Sequence, residues 1–182
     1  MIRARLVAAA SALAAVASVL LPGANATPAL AQSCAASAGS PVIEAASWGQ
    51  QRMGAERAWP QTTGEVVVAV LDTGVSAATA SLQGVVLPGT DLAGGTGDVD
   101  CFGRGTFVAS LIAGRAVDGT EFVGMAPGAT ILPVRLTSDP ESLFLSTDLP
   151  GLLARGITAA VEGGARVIAM PLTAASSSGT VT

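Results

Sequence analysis

Two short motifs carry the side chains with the clearest chemical potential in this sequence. Asp72 opens the tripeptide Asp-Thr-Gly directly after the apolar run EVVVAVL, where a carboxylate can hold or orient a proton donor. Arg104 stands between two glycines, just ahead of the apolar run TFVASLIAG. The 182 residues include no histidine. Because a guanidinium group titrates above about pH 12.5, the two motifs offer an acid and a permanent cation, but no imidazole-type proton acceptor.

The same motifs are open to other interpretations. Asp-Thr-Gly also occurs in aspartic proteases, but those enzymes pair two carboxylates, and the nearest second motif, Asp118-Gly119-Thr120, has a different order. Gly103-Arg104-Gly105 at a helix start could bind an anion, although it lacks the third glycine of a dinucleotide fingerprint. A purely structural role for Asp72, as a polar residue that ends a strand, is the simplest alternative.

Hydrophobic periodicity predicts the elements that position these residues. Continuous β-branched runs indicate buried strands, and apolar residues at helical spacing after Arg104 indicate a helix. Because strands alternate with helices, the sequence predicts an α/β fold with a mostly parallel sheet. Functional groups gather beyond the carboxyl ends of such strands, where Asp72 lies. The predicted strands are 65–71, 85–88, 129–136 and 166–172, the predicted helices are 50–59, 106–115 and 152–162, and 91–100 is predicted to be a surface loop.

Composition excludes several function classes. With 50% hydrophobic and 12% charged residues, the chain is typical of one packed domain. Nine basic residues against 13 acidic ones argue against a nucleic-acid partner, and 3% aromatic residues provide few surfaces for base stacking. We also expect no cofactor and no metal site, since no histidine is present to complete a metal-ligand set.

The first 31 residues are typical of a secretory signal peptide. Two arginines precede an apolar run over 6–21, and the small residues at 24–26 or 29–31 fit a cleavage site. The alternatives are an uncleaved membrane anchor and a lipid attached to Cys34. We therefore expect a protein that is secreted or held in the cell envelope, outside the cytoplasm, without a transmembrane segment after cleavage.

Export also affects the interpretation of the two cysteines, Cys34 and Cys101. Outside the cytosol, a single pair is most simply a disulfide bond. In the chain-entropy model, closing a loop of this length would stabilise the fold by on the order of 4 kcal/mol. Two independent buried thiols are the alternative.

Four segments, in order, resemble the subtilisin-like serine peptidases, or subtilases. The resemblance implies a partial subtilisin-like fold with three layers and, for the family, peptide-bond hydrolysis by aspartate, histidine and serine. A cysteine just ahead of the second segment, with an N-terminal partner, makes the chain most similar to mycosins, the peptidases associated with type VII secretion in actinobacteria. The match extends over roughly 53–172, and its four segments are AERAWPQTTGEVVVAVLDTGV, GRGTFVASLIAG, VGMAPGATILPVRL and GITAAVEGGARVIAMPL.

The resemblance also implies roles for the two motifs. Asp72 matches the family's orienting acid, and Arg104 stands at the position of the general-base histidine. The nucleophilic serine follows later in the family, in a Gly-Thr-Ser motif, whereas 179–181 is Gly-Thr-Val, and we expect the serine region to be absent. The predicted function is therefore a secreted, mycosin-like homologue without catalytic activity. In it, Arg104 pairs with a vestigial Asp72 through two parallel hydrogen bonds, or else points to solvent.

A second function class is a non-catalytic module that binds a peptide segment or a secretion-system protein. Such a module would use the remnant cleft or an exposed sheet edge. A third interpretation is a marginally stable chain that carries only the first half of the family domain. The predicted layout is a signal peptide over 1–31, an N-terminal extension and lead-in helix over 32–64, a truncated subtilase-like domain over 65–173 and a flexible tail over 174–182.

Overall fold

The computed structural model describes residues 45–141, 146 and 148–172. The signal peptide predicted over 1–31, Cys34 and the tail predicted over 174–182 lie outside these residues, so those predictions and the domain boundaries that depend on them stay predictions. The motifs around Asp72 and Arg104 lie within the described part.

A four-stranded sheet carries the Asp72 motif. Its strands are β1 (Val67–Asp72), β2 (Thr90–Asp91), β3 (Thr130–Arg135) and β4 (Val167–Ala169), in the spatial order β2-β3-β1-β4. All strand pairs are parallel, and β1 pairs with β3 from Val67 opposite Thr130 to Asp72 opposite Arg135. The mostly parallel α/β sheet predicted from the sequence is confirmed. Asp72 therefore lies at the carboxyl end of a central strand.

Helices cover both faces of this sheet. α1 (Trp48–Met53) precedes the sheet in the chain, whereas α2 (Arg104–Ala113) packs on one face and α3 (Leu149–Glu162) packs on the other. Short 3-10 helices lie at Ala55–Arg57 and Ala80–Leu82. α1 begins with a capping box, in which the Ser47 hydroxyl accepts from the Gln50 N–H and the Gln50 side chain accepts from the Ser47 N–H. α1 ends at Gly54, whose φ of 55° is in the left-handed region.

The pleat of β1 divides the core into two halves. Val68 and Val70 pack in the cluster that includes Ala109 and Ala113 of α2. Ala69 and Leu71 point to the opposite face, in the cluster that includes Leu149 and Ala160 of α3. Because side chains alternate along a strand, the fully apolar sequence of β1 is what a strand between two helical layers requires. The three-layer arrangement implied by the family resemblance is confirmed.

Some predicted boundaries differ from the structure. The strand predicted over 85–88 contributes a single bridge, Val86 to Ile131, and pairing resumes at β2 beyond Pro88 and Gly89. The strand predicted over 166–172 is shorter, because Pro171 has no N–H to continue the ladder. α3 begins three residues earlier than predicted, with a proline in its first turn, where no intrahelical N–H is needed.

Glu65, just ahead of β1, has a strongly perturbed carboxylate. It accepts hydrogen bonds from the Thr63 hydroxyl at 2.6 Å, the Thr62 hydroxyl at 2.9 Å and the Thr63 N–H at 3.2 Å. These bonds, led by that from the Thr63 hydroxyl, lower the pKa of Glu65 from the ordinary 4.5 to about 2. Because the folded-state pKa is the lower one, the resulting stability is fully present above pH 4.5 and is lost as the pH falls towards 2.

We therefore expect Thr63→Val to raise the pKa of Glu65, because the variant removes the leading hydrogen bond. The measurement is an NMR titration of the Glu65 carboxyl carbon between pH 1.5 and 6. Thr62→Val is the matched control and should produce a smaller rise, since its hydroxyl contributes less. An unchanged titration midpoint in Thr63→Val would contradict this assignment.

Candidate active site

Asp72 is the last residue of β1, and its side chain is fully buried. Its Oδ1 accepts hydrogen bonds from the Thr73 N–H at 2.7 Å and from Arg104 Nε at 2.9 Å. Oδ2 is buried and has no hydrogen-bond partner among the described residues. A buried carboxylate is costly without a counter-charge, so the guanidinium of Arg104 provides the compensation that this position needs.

Arg104 is the first residue of α2, and 29% of its side chain is exposed. The contact to Asp72 is made through Nε, and Nη2 is buried without a partner in the described part of the chain. Arg104 therefore meets Asp72 instead of pointing to solvent. The two parallel hydrogen bonds expected from the sequence are not formed, because Nη2 and Oδ2 both stay unpaired while Nε and Oδ1 meet.

Asp100 explains how a cation can occupy the first turn of α2. Its carboxylate is buried and accepts hydrogen bonds from the N–H groups of Phe102, Gly103 and Thr106, at 3.1, 2.8 and 2.9 Å. The positive end of a helix disfavours a cation, and a carboxylate beside it offsets that cost. Asp100 was not predicted as a site residue, because 91–100 was predicted to be a surface loop. An acidic residue just ahead of a helix start was the signal available.

Hydrogen bonds also join the end of β1 to the start of α2. The Thr73 hydroxyl donates to Asp100 Oδ1 at 2.9 Å and accepts from the Gly105 N–H at 3.1 Å. The Thr106 hydroxyl donates to Asp100 Oδ2 at 2.7 Å and accepts from the Ser76 N–H at 2.9 Å. The N–H groups of Gly103, Gly105 and Thr106 are thus occupied by groups of the chain itself. This arrangement argues against the alternative of an anion site at Gly103-Arg104-Gly105.

Gly103 and Gly105, on either side of Arg104, are required for different structural reasons. Gly103 precedes α2 with a φ of 91°, a left-handed conformation that favours glycine. A Cβ on Gly105 would lie against the Gly74 carbonyl oxygen and 3.0 Å from the Asp72 Cβ. Gly74 itself has a φ of 100°. Glycine at 105 therefore lets the start of α2 approach the end of β1 closely enough for residue 104 to reach Asp72.

The second Asp-Gly-Thr motif does not join this site, and some other candidate residues lie outside the described part of the chain. Asp118, Gly119 and Thr120, the motif considered for an aspartic protease, line a surface cavity of about 530 Å³ within 116–123, and neither Asp72 nor Arg104 lines it. Cys101 lies just ahead of Arg104, but Cys34 is outside the described residues, so the disulfide bond stays a prediction. Gly-Thr-Val at 179–181 is outside them as well. Within 45–141, 146 and 148–172, no helix is long and apolar enough to cross a membrane.

The chain matches a known protein family. The subtilase family (Peptidase S8) matches residues 63–181, which is more than half of the sequence and includes both motifs. The chain belongs to the subtilase family. The resemblance inferred from the four segments is thereby confirmed.

Individual relatives include mycosin-1, which supports the narrower likeness to mycosins, and two further proteins. Mycosin-1 of Mycobacterium tuberculosis is 42% identical over 95 residues, which cover 50% of this chain and 21% of mycosin-1. Thermitase of Thermoactinomyces vulgaris is 32% identical over 138 residues, covering 72% of this chain and 46% of thermitase. Fervidolysin of Fervidobacterium pennivorans is 34% identical and is covered over 18% of its length. This subtilase chain thus spans less than half of the length of each of these relatives.

Solved mycosin structures share the fold. The MycP3 protease from the type VII (ESX-3) secretion system is 34% identical with a TM-score of 0.60, covering 70% of this chain and 38% of MycP3. MycP1 from the ESX-1 type VII secretion system is 31% identical with a TM-score of 0.61, covering 71% of this chain and 37% of MycP1. The partial subtilisin-like fold is therefore confirmed.

Proposed function

We propose that this subtilase does not hydrolyse peptide bonds, because residue 104 places a cation where the family chemistry uses a proton acceptor. In the family mechanism, an aspartate orients an imidazole, which takes the proton of the attacking serine. The supporting observation is the 2.9 Å contact between Arg104 Nε and Asp72 Oδ1. Arg104 faces the acid as the family's histidine would, so no other base can occupy that position.

The pKa values of imidazole and guanidinium differ so much that arginine cannot replace histidine as a general base. Imidazole titrates near pH 6.5, so it can accept a proton and return it at neutral pH. A guanidinium group titrates above about 12.5, so fewer than about one in 10⁵ would be neutral at pH 7. Loss of one triad member leaves at most about 10³ to 10⁴ in rate over the reaction in water, even where an oxyanion hole is intact. We therefore expect peptide hydrolysis to be undetectable.

The test is peptide cleavage by the purified, secreted protein. A peptide library is incubated with the protein at pH 7 to 10, products are read by mass spectrometry, and a fluorophosphonate probe reports any activated serine. We expect no cleavage above that of an Asp72→Asn preparation, and no labelling. Sequence-dependent cleavage or labelling that Asp72→Asn abolishes would contradict the proposal, whereas activity equal in both preparations identifies a contaminating protease.

We propose a location outside the cytoplasm, in the secreted fraction or the cell envelope. The mycosin relatives support it, as does a solved chain in the periplasmic assembly from the ESX-5 inner membrane complex. That chain is 27% identical with a TM-score of 0.55, covering 71% of this chain and 39% of the ESX-5 chain. The signal peptide over 1–31 and the Cys34 to Cys101 disulfide bond belong to the same proposal.

A second candidate function is a non-catalytic module that binds a secretion-system protein. β4 is the outer strand of the described sheet, and its Val167 is 50% exposed. Nearby in sequence, Met170 is 46% exposed, and Val161 of α3 is 62% exposed. Exposed apolar side chains at a sheet edge favour a protein partner, which can add a strand there.

We expect this edge to support co-elution with an ESX periplasmic assembly on size exclusion. Val167→Asp should abolish co-elution, because a charge in an apolar interface must be desolvated. Ala154→Asp, at an exposed position of α3, is the matched control and should leave co-elution unchanged. A monodisperse chain that never co-elutes, or a Val167→Asp variant that co-elutes normally, would contradict the binding function.

A further inference from the structure

Asp100 makes more contacts than a helix cap requires. Oδ1 accepts from the Thr73 hydroxyl and from two N–H groups, and Oδ2 accepts from the hydroxyl and the N–H of Thr106. The hydroxyls come from different parts of the chain, since Thr73 follows Asp72 at the end of β1 and Thr106 lies two residues beyond Arg104 in α2. Asp100 thereby bridges the two segments that carry the ion pair.

The ion pair does not fix its own geometry. Arg104 and Asp72 meet through one nitrogen and one oxygen, and the atoms that would form a second bond are unpaired among the described residues. A bidentate pair would set the angle between the two groups, whereas a single contact does not. The backbone positions of residues 72 and 104 must therefore be set by other groups.

We propose that Asp100 is a positioning residue, which holds Arg104 against Asp72 through Thr73 and Thr106. This inference depends on the ion pair of the proposed function. Two further bonds brace the arrangement, since the Thr73 hydroxyl accepts from the Gly105 N–H and the Thr106 hydroxyl accepts from the Ser76 N–H. The negative charge of Asp100 at the start of α2 also offsets the electrostatic cost of a cation there.

Hydrogen exchange at Arg104 Nε–H gives a readout that is specific for positioning. An Nε–H that donates to a buried carboxylate exchanges with solvent more slowly than one on an exposed arginine such as Arg115. We expect at least tenfold slower exchange at Arg104 than at Arg115 by ¹⁵N-edited NMR. In Asp100→Asn, this difference should fall to less than twofold. Asp98→Asn, which removes a charge from the same loop, is the matched control and should retain it.

If Asp100 only stabilised the fold in general, Asp100→Asn would change the exchange rates differently. The backbone N–H of buried Leu71 exchanges with solvent when the core opens. A general loss of stability would therefore accelerate exchange at Leu71 as much as at Arg104. Unchanged protection at Arg104 in Asp100→Asn, or equal acceleration at Arg104 and Leu71, would overturn the inference. Should Asp100→Asn fail to fold, Thr73→Val tests the same positioning role, because it removes one bridging hydroxyl and keeps the side-chain volume. We expect exchange at Arg104 Nε–H to become at least threefold faster in Thr73→Val.

The same data separate the two proposals. Fast exchange at Arg104 in the unmodified protein would overturn both the ion pair and the role of Asp100. Protection in the unmodified protein that survives in both Asp100→Asn and Thr73→Val would overturn the role of Asp100 alone.

Discussion

Arg104→Leu is expected to lower the free energy of unfolding by about 3 to 5 kcal/mol, the usual cost of leaving a buried charge without its partner. Asp72 is fully buried, and without Arg104 its carboxylate would keep only the Thr73 N–H as a hydrogen-bond donor among the described residues. Leucine fills a similar volume along the side-chain stem, so the loss comes from charge and not from a cavity.

Urea denaturation followed by circular dichroism measures this loss. Arg115→Leu is the matched control, because it removes the same charge from an exposed position just beyond α2. Surface substitutions of that kind usually change stability by less than about 0.5 kcal/mol. If Arg104→Leu were as stable as Arg115→Leu, Asp72 would not depend on Arg104.

Gly105→Ala is the second large effect, with an expected loss of about 2 to 3 kcal/mol from overpacking. The new methyl group would lie against the Gly74 carbonyl oxygen and 3.0 Å from the Asp72 Cβ, and neither neighbour is the end of a flexible side chain. Alanine is the better helix former by about 1 kcal/mol, so propensity alone predicts the opposite sign. The steric contact is expected to win, and the start of α2 should move away from β1.

The matched control is Gly49→Ala. Gly49 is the second residue of α1, as Gly105 is of α2, but its added Cβ would meet no atom closer than 3.8 Å. Gly49→Ala should therefore stabilise the protein by up to about 1 kcal/mol, as helix propensity predicts. Should thermal denaturation rank Gly105→Ala at or above Gly49→Ala, the close approach of α2 to Asp72 would be wrong.

The sequence was sufficient to predict the framework that positions the site. β1 is a continuous apolar run up to Asp72 and β3 is mostly apolar, so their burial between helices follows from composition, although Pro133 interrupts the β-branched residues of β3. The short strand predicted over 85–88 was placed less well, because its single bridge depends on tertiary neighbours at β3. The positions of long elements can therefore be predicted from the local sequence pattern, whereas those of short elements depend on tertiary packing.

The candidate site was predictable in its members but not in its geometry. The family resemblance brought Asp72 and Arg104 together, since it places the two motifs at adjacent strand and helix ends. The resemblance did not predict that the two residues meet only through Nε and Oδ1. That contact depends on the distance between the start of α2 and the end of β1, which the missing side chain of Gly105 allows to be short. Asp100 was missed because 91–100 was predicted to be a surface loop, and because one of its partners, Thr73, is 27 residues away in the sequence.

A double-mutant cycle on Asp72→Asn and Arg104→Leu tests most directly whether a cation at the general-base position is paired with the buried acid. The free energies of unfolding of the unmodified protein, both single variants and the double variant are measured by urea denaturation under identical conditions. Contact between the two charges predicts a coupling free energy of about 3 kcal/mol, because Arg104→Leu should cost little once Asp72→Asn has removed the buried charge. The double variant should then be more stable than the sum of the two single losses predicts. Losses that add to within about 0.3 kcal/mol would show that the two side chains do not interact, and would contradict the account of this site.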